Sequence, residues 1–503
     1  MSRPVSRRLF LGSALGAVGA LAPLAGSVAW AAAPAVSLRP QARPGSKAAR
    51  VAPGAEKLVE AANLGGDVTF AVMDVKTGLM LEARGAHDGL PPASVTKSVT
   101  ALYALDTLGA DFRFSTRLLT TGAIENGVIK GDLILAGGGD PTLDTDALAD
   151  MAAELKRKGV HEVRRRFHVW GGALPFERTI DPTQPEHAGY NPSISGMNLN
   201  FNRVHFEWKR GGSGYQVTMD ARARAYRPAV TIARMAVSKR KGPVYTYRDG
   251  GDHDSWTVAN AALGNGGARW LPVRKPEAYA AEVFATLARS HGIVLEDGAA
   301  LREPPRGKTL VVHQSGSLRE VLRDMLKYSN NLTAELVGMT ASAKRVGRAQ
   351  SLAASAREMS RWARTELGME GASLVDHSGL GEKSRLSAEA LARAMVKAHG
   401  DGQLRAILKE IPLRNDRGGI DQNNKIQVLA KTGTLYFVSS LSGYMTTPDG
   451  GELAFAILAA NQGRRRQADL GAAGRPPGAA SWNGRAKTLQ QALIERWATV
   501  YGS

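Results

Sequence analysis

A serine and a lysine stand three residues apart where a helical pattern of this chain begins. Ser94 and Lys97 open a pattern that runs from about Ala93 to Leu108, and two prolines precede it. Residues three apart on the first turn of a helix point the same way, and the helix N-terminus favours negative charge that develops there. This arrangement predicts a serine nucleophile beside an amine that acts as its base.

Two further short motifs follow in the chain and supply the other residue types that such a reaction needs. They are Ser329-Asn330-Asn331 and Lys431-Thr432-Gly433-Thr434. A lysine is a poor base at its usual pKa and a second cation nearby lowers that pKa, so we expect Lys431 close to Lys97. Ser329 and Asn331 are expected to pass a proton between Lys97 and the leaving group and to orient the substrate amide.

The third motif lies on a predicted strand and is expected to bind substrate. Thr432 and Thr434 alternate along it, so Thr432 is expected to face the site and bind a substrate carboxylate together with Lys431. The backbone N–H groups of Ser94 and Thr434 are expected to form an oxyanion hole, with Gly433 between the threonines. Each motif alone fits a cap, a turn or a strand entrance, whereas the ordered set of three indicates catalysis.

The elements that position these motifs come from both ends of the chain. Residues 67–74 and 79–84 predict a β-hairpin, and residues 426–431, 435–446 and 452–461 predict three more strands. A terminal helix is predicted over about residues 483–499. These strands and helices predict one mixed α/β domain that is built from the two termini.

The middle of the chain is predicted to be an insertion. Short strands broken by Gly-, Asp- and Arg-rich turns fill residues 114–272 and predict one or two β-rich domains. Helical periodicity returns at residues 276–290 and 317–326. The outer domain is therefore expected to comprise residues 56–113 and 273–503, with 114–272 inserted.

The composition limits the chemistry. The chain has 503 residues and no cysteine, which excludes disulfide scaffolds, thiolate metal sites and thiol nucleophiles. Sixty-five Lys and Arg against 46 Asp and Glu give a formal charge of +19. Such a charge is typical of a protein that binds an anionic membrane surface or an acidic wall polymer, although it can also serve only to keep the protein soluble. Nucleic acid is the poorest candidate partner if the chain is exported, as its first residues indicate.

The first 31 residues predict an export signal. Three arginines precede a mildly apolar run, and Ala29-Trp30-Ala31 fits a cleavage site. Ser6–Leu11 resembles a twin-arginine signal, which predicts a periplasmic or otherwise exported protein. Residues 32–55 contain four basic residues, four prolines and no acidic residue. This composition predicts a basic linker.

Taken together, the motifs resemble the penicillin-interacting serine D,D-peptidases. Further segments narrow the resemblance to the D-alanyl-D-alanine carboxypeptidase/endopeptidase family of the penicillin-binding protein 4 type: Pro92–Lys97, Gly131–Leu135 running into Gly137–Leu143, Met197–Asn200 and Asp376–Leu380. This likeness covers nearly all of residues 57–500. It implies a transpeptidase-like α/β (α+β) fold, with helices around a five-stranded antiparallel sheet and inserted β-rich domains, and no metal or organic cofactor.

The same resemblance implies an activity. A family member would hydrolyse the terminal D-Ala-D-Ala bond of peptidoglycan stem peptides, and D-Ala cross-links, through an acyl-enzyme on Ser94. Peptidoglycan peptides would be its substrates and β-lactams its covalent inhibitors. A β-lactamase of the same fold and a non-catalytic scaffold that binds the cell wall stay open as alternatives, and so does the oligomeric state.

Three positions depart from the family pattern. Asn330 stands where the second motif often has Asp, and His377 stands where members commonly have Gly. The stretch Val169–Gly172 contains no acid where relatives tend to place an Asp for the diamino acid.

Asp376-His377-Ser378 contains the residue types of a catalytic triad. Adjacent residues cannot converge as a proton relay, so turns, caps or solvated surface are expected there.

Overall fold

The computed structural model describes residues 52–415, 417–468 and 476–502. The predicted export signal and nearly all of the predicted linker lie outside these ranges. Within them the strands, numbered β1 to β20 in chain order, are Asp67–Asp74, Met80–Arg84, Ser115–Thr120, Ile124–Glu125, Val128–Ile129, Leu133–Gly137, Glu162–Val163, Phe167–Trp170, Arg203–Gly211, Gly214–Asp220, Ala233–Ser238, Tyr245–Asp249, Asp254–Ala259, Gly266–Pro272, Ala299–Ala300, Lys308–Gln314, Lys409–Glu410, Gln427–Leu435, Val438–Thr446 and Glu452–Ala460.

The helices of the same ranges are numbered α1 to α11. They are Ala55–Ala62, Thr96–Leu108, Thr145–Arg157, Pro276–Ser290, Leu318–Tyr328, Asn331–Val346, Leu352–Leu367, Ala388–His399, Gln403–Ile407, Gln462–Gln467 and Ala479–Tyr501. In the described part of the chain, no helix combines the length and the apolar character that a membrane span requires.

The largest sheet joins the two ends of the chain. Its strand order is β17-β18-β19-β20-β1-β2, and each neighbouring pair is antiparallel. Five of its strands are those expected from the sequence, and the sixth is the two-residue edge strand β17. The predicted class, helices around an antiparallel sheet, is confirmed.

Helices cover both faces of this sheet. Successive side chains of a strand point to opposite faces, and β20 is buried throughout. Phe455 and Ile457 pack in one core with Trp482 and Trp497 of α11. On the other face small residues such as Ala456 let α8 lie close to the strand.

Helix α2, which carries Lys97, is buried along most of its length. Its residues from Thr96 to Leu105 are all buried, and the helix packs against α5, α6 and α7. This part of the helix has no solvent face. A charged side chain on it, such as Lys97, therefore needs partners inside the protein.

The inserted region has its own core. A five-stranded sheet of order β15-β8-β6-β3-β16 packs with α3 and α4, and three three-stranded sheets belong to the same region of the described chain. The sequence prediction of short strands alone is incomplete here, because Thr145–Arg157 forms a helix. Asp144 caps this helix by accepting a hydrogen bond from the Ala147 N–H at 2.8 Å.

Residues that follow the predicted boundary at 272 make contacts with the inserted region. Helix α4 packs against α3, and the rings of Phe284 and Phe167 lie 5.2 Å apart in the inserted core. Strand β16 pairs with β3 of the same region. Residues 273–314 thus bury apolar side chains against the inserted sheet. We propose that the inserted region extends to Gln314.

Candidate active site

Ser94 lies in a tight turn in front of helix α2. The turn is a 3₁₀ segment, Ala93–Val95, and the α-helix begins at Thr96, three residues later than predicted. Ala93 has a φ of 48°, which residues with a Cβ rarely adopt. Ser94 is half-buried between two fully buried neighbours, so its hydroxyl reaches the surface of a cavity while its backbone is held by the core.

Lys97 is fully buried beside Ser94 and is held by three hydrogen bonds. Its Nζ donates to Ser94 Oγ at 3.0 Å, to Asn331 Oδ1 at 2.8 Å and to the Ser378 carbonyl at 2.8 Å. Burial lowers the pKa of Lys97 from 10.5 to about 8, against the opposing influence of the carboxylates of Glu335 and Asp376. A lysine with this pKa is neutral often enough at neutral pH to take a proton from a serine.

The second motif connects α5 to α6. Ser329 has a φ of 57° and ends α5 in the left-handed conformation. Asn330 caps α6 by accepting a hydrogen bond from the Thr333 N–H at 3.0 Å, so its role at the centre of the motif is structural. Asn331 Nδ2 donates to the Tyr190 carbonyl at 2.9 Å, which links the motif to the inserted region.

Lys431 of β18 is buried and reaches the second motif. Its Nζ donates to Ser329 Oγ at 3.0 Å and to the Thr432 carbonyl at 2.7 Å. Burial, followed by the nearby charge of Lys97, lowers the pKa of Lys431 to about 6. We expected the charge of Lys431 to lower the pKa of Lys97. Instead, burial lowers the pKa of Lys97, and the charge of Lys97 contributes to the lowered pKa of Lys431.

Gly433 allows β18 to approach the turn that carries the serine. A Cβ at this position would lie 2.2 Å from Ser440 Oγ, 2.8 Å from the Pro92 carbonyl oxygen and 3.0 Å from the Ser94 nitrogen. Any side chain here would therefore push the strand away from the nucleophile. This close approach explains why a glycine stands between Thr432 and Thr434.

A cavity of about 470 Å³ opens at the serine. Gln184 and Tyr190 of the inserted region form part of its wall, and no described residue that lines it carries a carboxylate. Of the two threonines in the third motif, both exposed, only Thr434 lines the cavity. The motif residues that line it are Ser94, Ser329, Asn331 and Thr434.

Glu335, His377 and the Ser378 carbonyl complete the floor of this site, and the sequence pattern predicts no role in the site for them. The segment Asp376–Ser378 is a turn, as expected, but it is buried instead of solvated. Asp376 accepts from the Gly379 N–H at 2.7 Å and from the Gly381 N–H at 2.6 Å. In the sequence, the only indication that Asp376–Ser378 lies at the site is that Asp, His and Ser are consecutive there.

A group with the residue types of a metal site lies elsewhere, on the first two long strands of the inserted region. It consists of His205, Glu207 and Asp220. Arg222 Nη2 donates to Glu207 Oε2 and to Asp220 Oδ2 at 2.9 Å each. The guanidinium thus already compensates both carboxylates.

Comparisons with known proteins identify the family of this chain. Residues 54–475 match the D-Ala-D-Ala carboxypeptidase 3 (S13) family. The D-alanyl-D-alanine carboxypeptidase of Actinomadura sp. (strain R39) is 30% identical over 431 residues, 79% of this chain and 78% of that protein. D-alanyl-D-alanine carboxypeptidase DacB of Haemophilus influenzae is 25% identical over 437 residues, 80% of this chain and 86% of that protein.

A solved structure shares the fold. Penicillin binding protein 4 (dacB) from Haemophilus influenzae matches with a TM-score of 0.71 at 20% identity and covers 88% of this chain and 99% of its own. The matched family region contains all three motifs, and the resemblance that they predicted is confirmed. The chain belongs to the D-Ala-D-Ala carboxypeptidase 3 (S13) family of serine-type peptidases.

Proposed function

We propose that this protein is an exported serine D,D-peptidase that removes the terminal D-Ala from peptidoglycan stem peptides. The observation that carries the proposal is the 3.0 Å hydrogen bond between the Lys97 Nζ and Ser94 Oγ, beside a cavity. A nucleophile and a base within hydrogen-bond reach are the basic requirement of covalent acyl transfer. The relatives named D-alanyl-D-alanine carboxypeptidase support the substrate.

Acylation begins with the neutral form of Lys97. Its amine takes the Ser94 hydroxyl proton while Oγ attacks the carbonyl carbon of the penultimate D-Ala. The negative charge that develops on the carbonyl oxygen is received by the backbone N–H groups of Ser94 and Thr434. Asn331, which accepts from Lys97 at 2.8 Å, keeps the amine in place during the transfer.

Ser329 completes the proton path to the leaving group. The C–N bond of the tetrahedral intermediate breaks as Ser329 Oγ, which Lys431 holds at 3.0 Å, gives a proton to the departing D-Ala amine. The proton that Lys97 took from Ser94 restores Ser329, and Lys97 is neutral again. Water then attacks the Ser94 ester and gives a proton to Lys97, which returns it to Ser94 Oγ as the shortened peptide leaves.

The substrate carboxylate changes the charge state of the site. Both lysines are buried and close together, so their protonation is coupled. Burial, and then the charge of Lys97, lower the pKa of Lys431 to about 6 in the free site. The carboxylate of the terminal D-Ala, bound at the third motif, would favour protonated Lys431 and so compensate its own burial.

We propose that D-Ala cross-links are cleaved in the same cavity. A volume of about 470 Å³ is in the range of pockets that hold ligands much larger than a dipeptide. The inserted region contributes Gln184 and Tyr190 to the wall, beyond what the nucleophile alone requires. A cross-linked peptide extends from the D-Ala carbonyl on both sides, and a larger cavity accommodates it.

A β-lactamase needs a base that activates the water for deacylation. Among the described residues that line the cavity none is Asp or Glu, so rapid hydrolysis of a penicilloyl ester is not expected. A β-lactam is therefore expected to remain bound as an inhibitor. The Haemophilus influenzae protein of the same fold has been solved in complex with a β-lactam.

The location follows from the sequence of the first 31 residues and from the substrate. Peptidoglycan lies outside the cytoplasmic membrane, and the twin-arginine-like signal would export the folded chain. Loss of that signal removes three arginines and no acid, which lowers the formal charge from +19 to +16. The remaining charge favours contact with an anionic membrane or wall polymer and needs no nucleic acid partner.

Purified muropeptides test the proposal directly. The wild-type protein is expected to release free D-Ala from pentapeptides and to convert cross-linked dimers to monomers, as followed by mass analysis. Ser94→Ala should abolish both reactions, whereas the matched control Ser98→Ala should retain them, because the buried Ser98 hydroxyl has no hydrogen-bond partner. Activity in Ser94→Ala, or binding of the wall without any cleavage by the wild type, would contradict the proposal.

A further inference from the structure

A buried pair of side chains lies beneath Lys97 and has no part in the proposed proton transfers. Glu335 of α6 accepts hydrogen bonds at Oε2 from the His377 backbone N–H and from His377 Nδ1, both at 2.9 Å. Its Oε1 accepts from the Ser378 N–H at 3.0 Å. Both side chains of the pair are completely buried.

The hydrogen bonds fix the tautomer of His377. An ionised carboxylate only accepts hydrogen bonds, so the proton of the ring lies on Nδ1. The other nitrogen, Nε2, lies within hydrogen-bond distance of Ser355 Oγ on α7, 3.0 Å away. The imidazole therefore has a polar partner at both nitrogens and connects two helices.

The fold makes room for this imidazole. A Cβ at Gly338 of α6 would lie 2.1 Å from His377 Cδ2 and 2.3 Å from Cγ. The ring therefore packs directly on the helix backbone, which only glycine permits. The close contact between Gly338 and His377 thus ties the turn to α6.

The turn that follows His377 carries a partner of the base. The Ser378 carbonyl accepts from Lys97 Nζ at 2.8 Å. Two residues fix this turn: Glu335 by the Ser378 N–H and Asp376 by the Gly379 N–H. Gly379 has a φ of 75°, and a Cβ there would lie only 1.8 Å from the Ala93 carbonyl oxygen, so the turn is pressed against the nucleophile segment.

We propose that Glu335 and His377 form a positioning pair that holds the Ser378 carbonyl under Lys97 and controls the charge of that lysine. The inference rests on the proposed role of Lys97 as the base. His377 acts by orienting the Glu335 carboxylate. Glu335 acts by its hydrogen bonds to the turn and by the field of its carboxylate.

The charged groups around Lys97 support this assignment. Glu335 faces it from α6, Asp376 from the turn and Lys431 from β18. Burial, and then the charge of Glu335, raise the pKa of Asp376 to about 7. Of the two carboxylates that oppose the effect of burial on the pKa of Lys97, Glu335 has the larger influence.

Two substitutions of His377 separate positioning from simple packing. In His377→Asn the amide nitrogen replaces Nδ1 and keeps the donor to Glu335; in His377→Gln the amide reaches the place of Nε2 and keeps only the Ser355 contact. With a fluorescent penicillin we expect the Asn variant to acylate within about threefold of wild type and the Gln variant to lose roughly tenfold or more. Equal losses that follow the melting temperatures would overturn the proposal.

Glu335→Gln tests the electrostatic part and does not depend on how much protein is folded. Loss of the negative charge lowers the pKa of Lys97, so the midpoint of the rising acylation–pH profile should move down by roughly one unit. An unchanged midpoint in this variant overturns the inference. If the wild-type rate shows no rise with pH, or if Lys97→Arg acylates normally, the proposed base itself fails, which is a different result.

Discussion

The floor and the rim of the cavity are built by different means. On the floor Lys97 and Lys431 are buried, and each shares hydrogen bonds with groups from distant parts of the chain. On the rim Thr432 and Thr434 are exposed and lie on a single strand. The floor is a closed network in the free protein, whereas the rim has its hydrogen-bonding groups directed to solvent.

This difference has an energetic consequence. Removal of a buried partner leaves another buried polar group unsatisfied, and that cost is present whichever substrate is bound. Removal of an exposed hydroxyl costs nothing in the free protein and is felt only by a substrate that bonds to it. Variants of the floor should therefore reduce all reactions, and variants of the rim should discriminate between substrates.

The largest effect is expected for Lys97→Arg. A guanidinium does not lose its proton at working pH, so the variant has no neutral amine to activate Ser94. Acylation by penicillin should fall by roughly 10²-fold or more, the usual scale for loss of a general base. The control Lys487→Arg changes an exposed lysine that lines the cavity and should leave the rate nearly unchanged. Normal acylation by Lys97→Arg would reduce Lys97 to an electrostatic support.

The rim threonines should show a smaller effect that depends on substrate. Thr432→Val and Thr434→Val each remove a hydroxyl and keep the shape. For peptides with a free terminal carboxylate the bond lost is one to a charged group, worth about 1.5–3 kcal/mol in kcat/KM. The loss should disappear for the C-terminally amidated peptide, which never makes that bond.

A two-by-two comparison of each variant and wild type on the acid and amide forms of one peptide separates the two threonines. Because only Thr434 lines the cavity, its variant should show the larger loss. Equal losses on acid and amide would mean that the threonine shapes the strand and does not bind the carboxylate.

The acylation rate should rise with pH through a midpoint near 8. Neutral Lys97 is the active form, and with a pKa of about 8 its neutral fraction grows roughly tenfold between pH 7 and the plateau. The rim variants should keep this midpoint, because the hydrogen bonds of Lys97 go to Ser94, Asn331 and the Ser378 carbonyl and to neither threonine. A rate that is flat from pH 6 to 9 would exclude titration of the base in this range.

The smallest effect is expected at the middle of the second motif. Asn330→Ala removes the cap of α6 and should lower the free energy of unfolding by about 1 kcal/mol, whereas Asn330→Asp keeps a capping oxygen and should be close to neutral. Acylation by the folded fraction should be similar in both variants. A large loss of rate in the Asp variant would assign Asn330 to the floor.

The sequence predicted those parts of the site that depend on local order. The spacing of Ser94 and Lys97, the turn at Ser329 and the strand of Lys431 follow from helix, turn and strand patterns, and the five long strands of the sheet alternate or are continuously apolar. The class of fold was therefore accessible.

The residues that contact the site from distant parts of the chain could not be predicted from local sequence patterns. Glu335 meets Lys97 only because α6 packs on α2, and Tyr190 approaches Asn331 from the inserted region. Burial, and not the neighbouring cation, dominates the lowered pKa of Lys97. Helix α3 carried a local signal, an Asp cap followed by apolar residues at helical spacing, which the strand-rich surroundings obscured.

The most direct test of the account is to locate the covalent adduct. After incubation with benzylpenicillin, the intact protein should gain the mass of one penicilloyl group, and peptide mapping should place it on Ser94, the hydroxyl that Lys97 contacts at 3.0 Å. The adduct should persist for many times the acylation time, because no described carboxylate lines the cavity. An adduct on any other residue, or none in protein that releases D-Ala, would contradict Ser94 as the nucleophile.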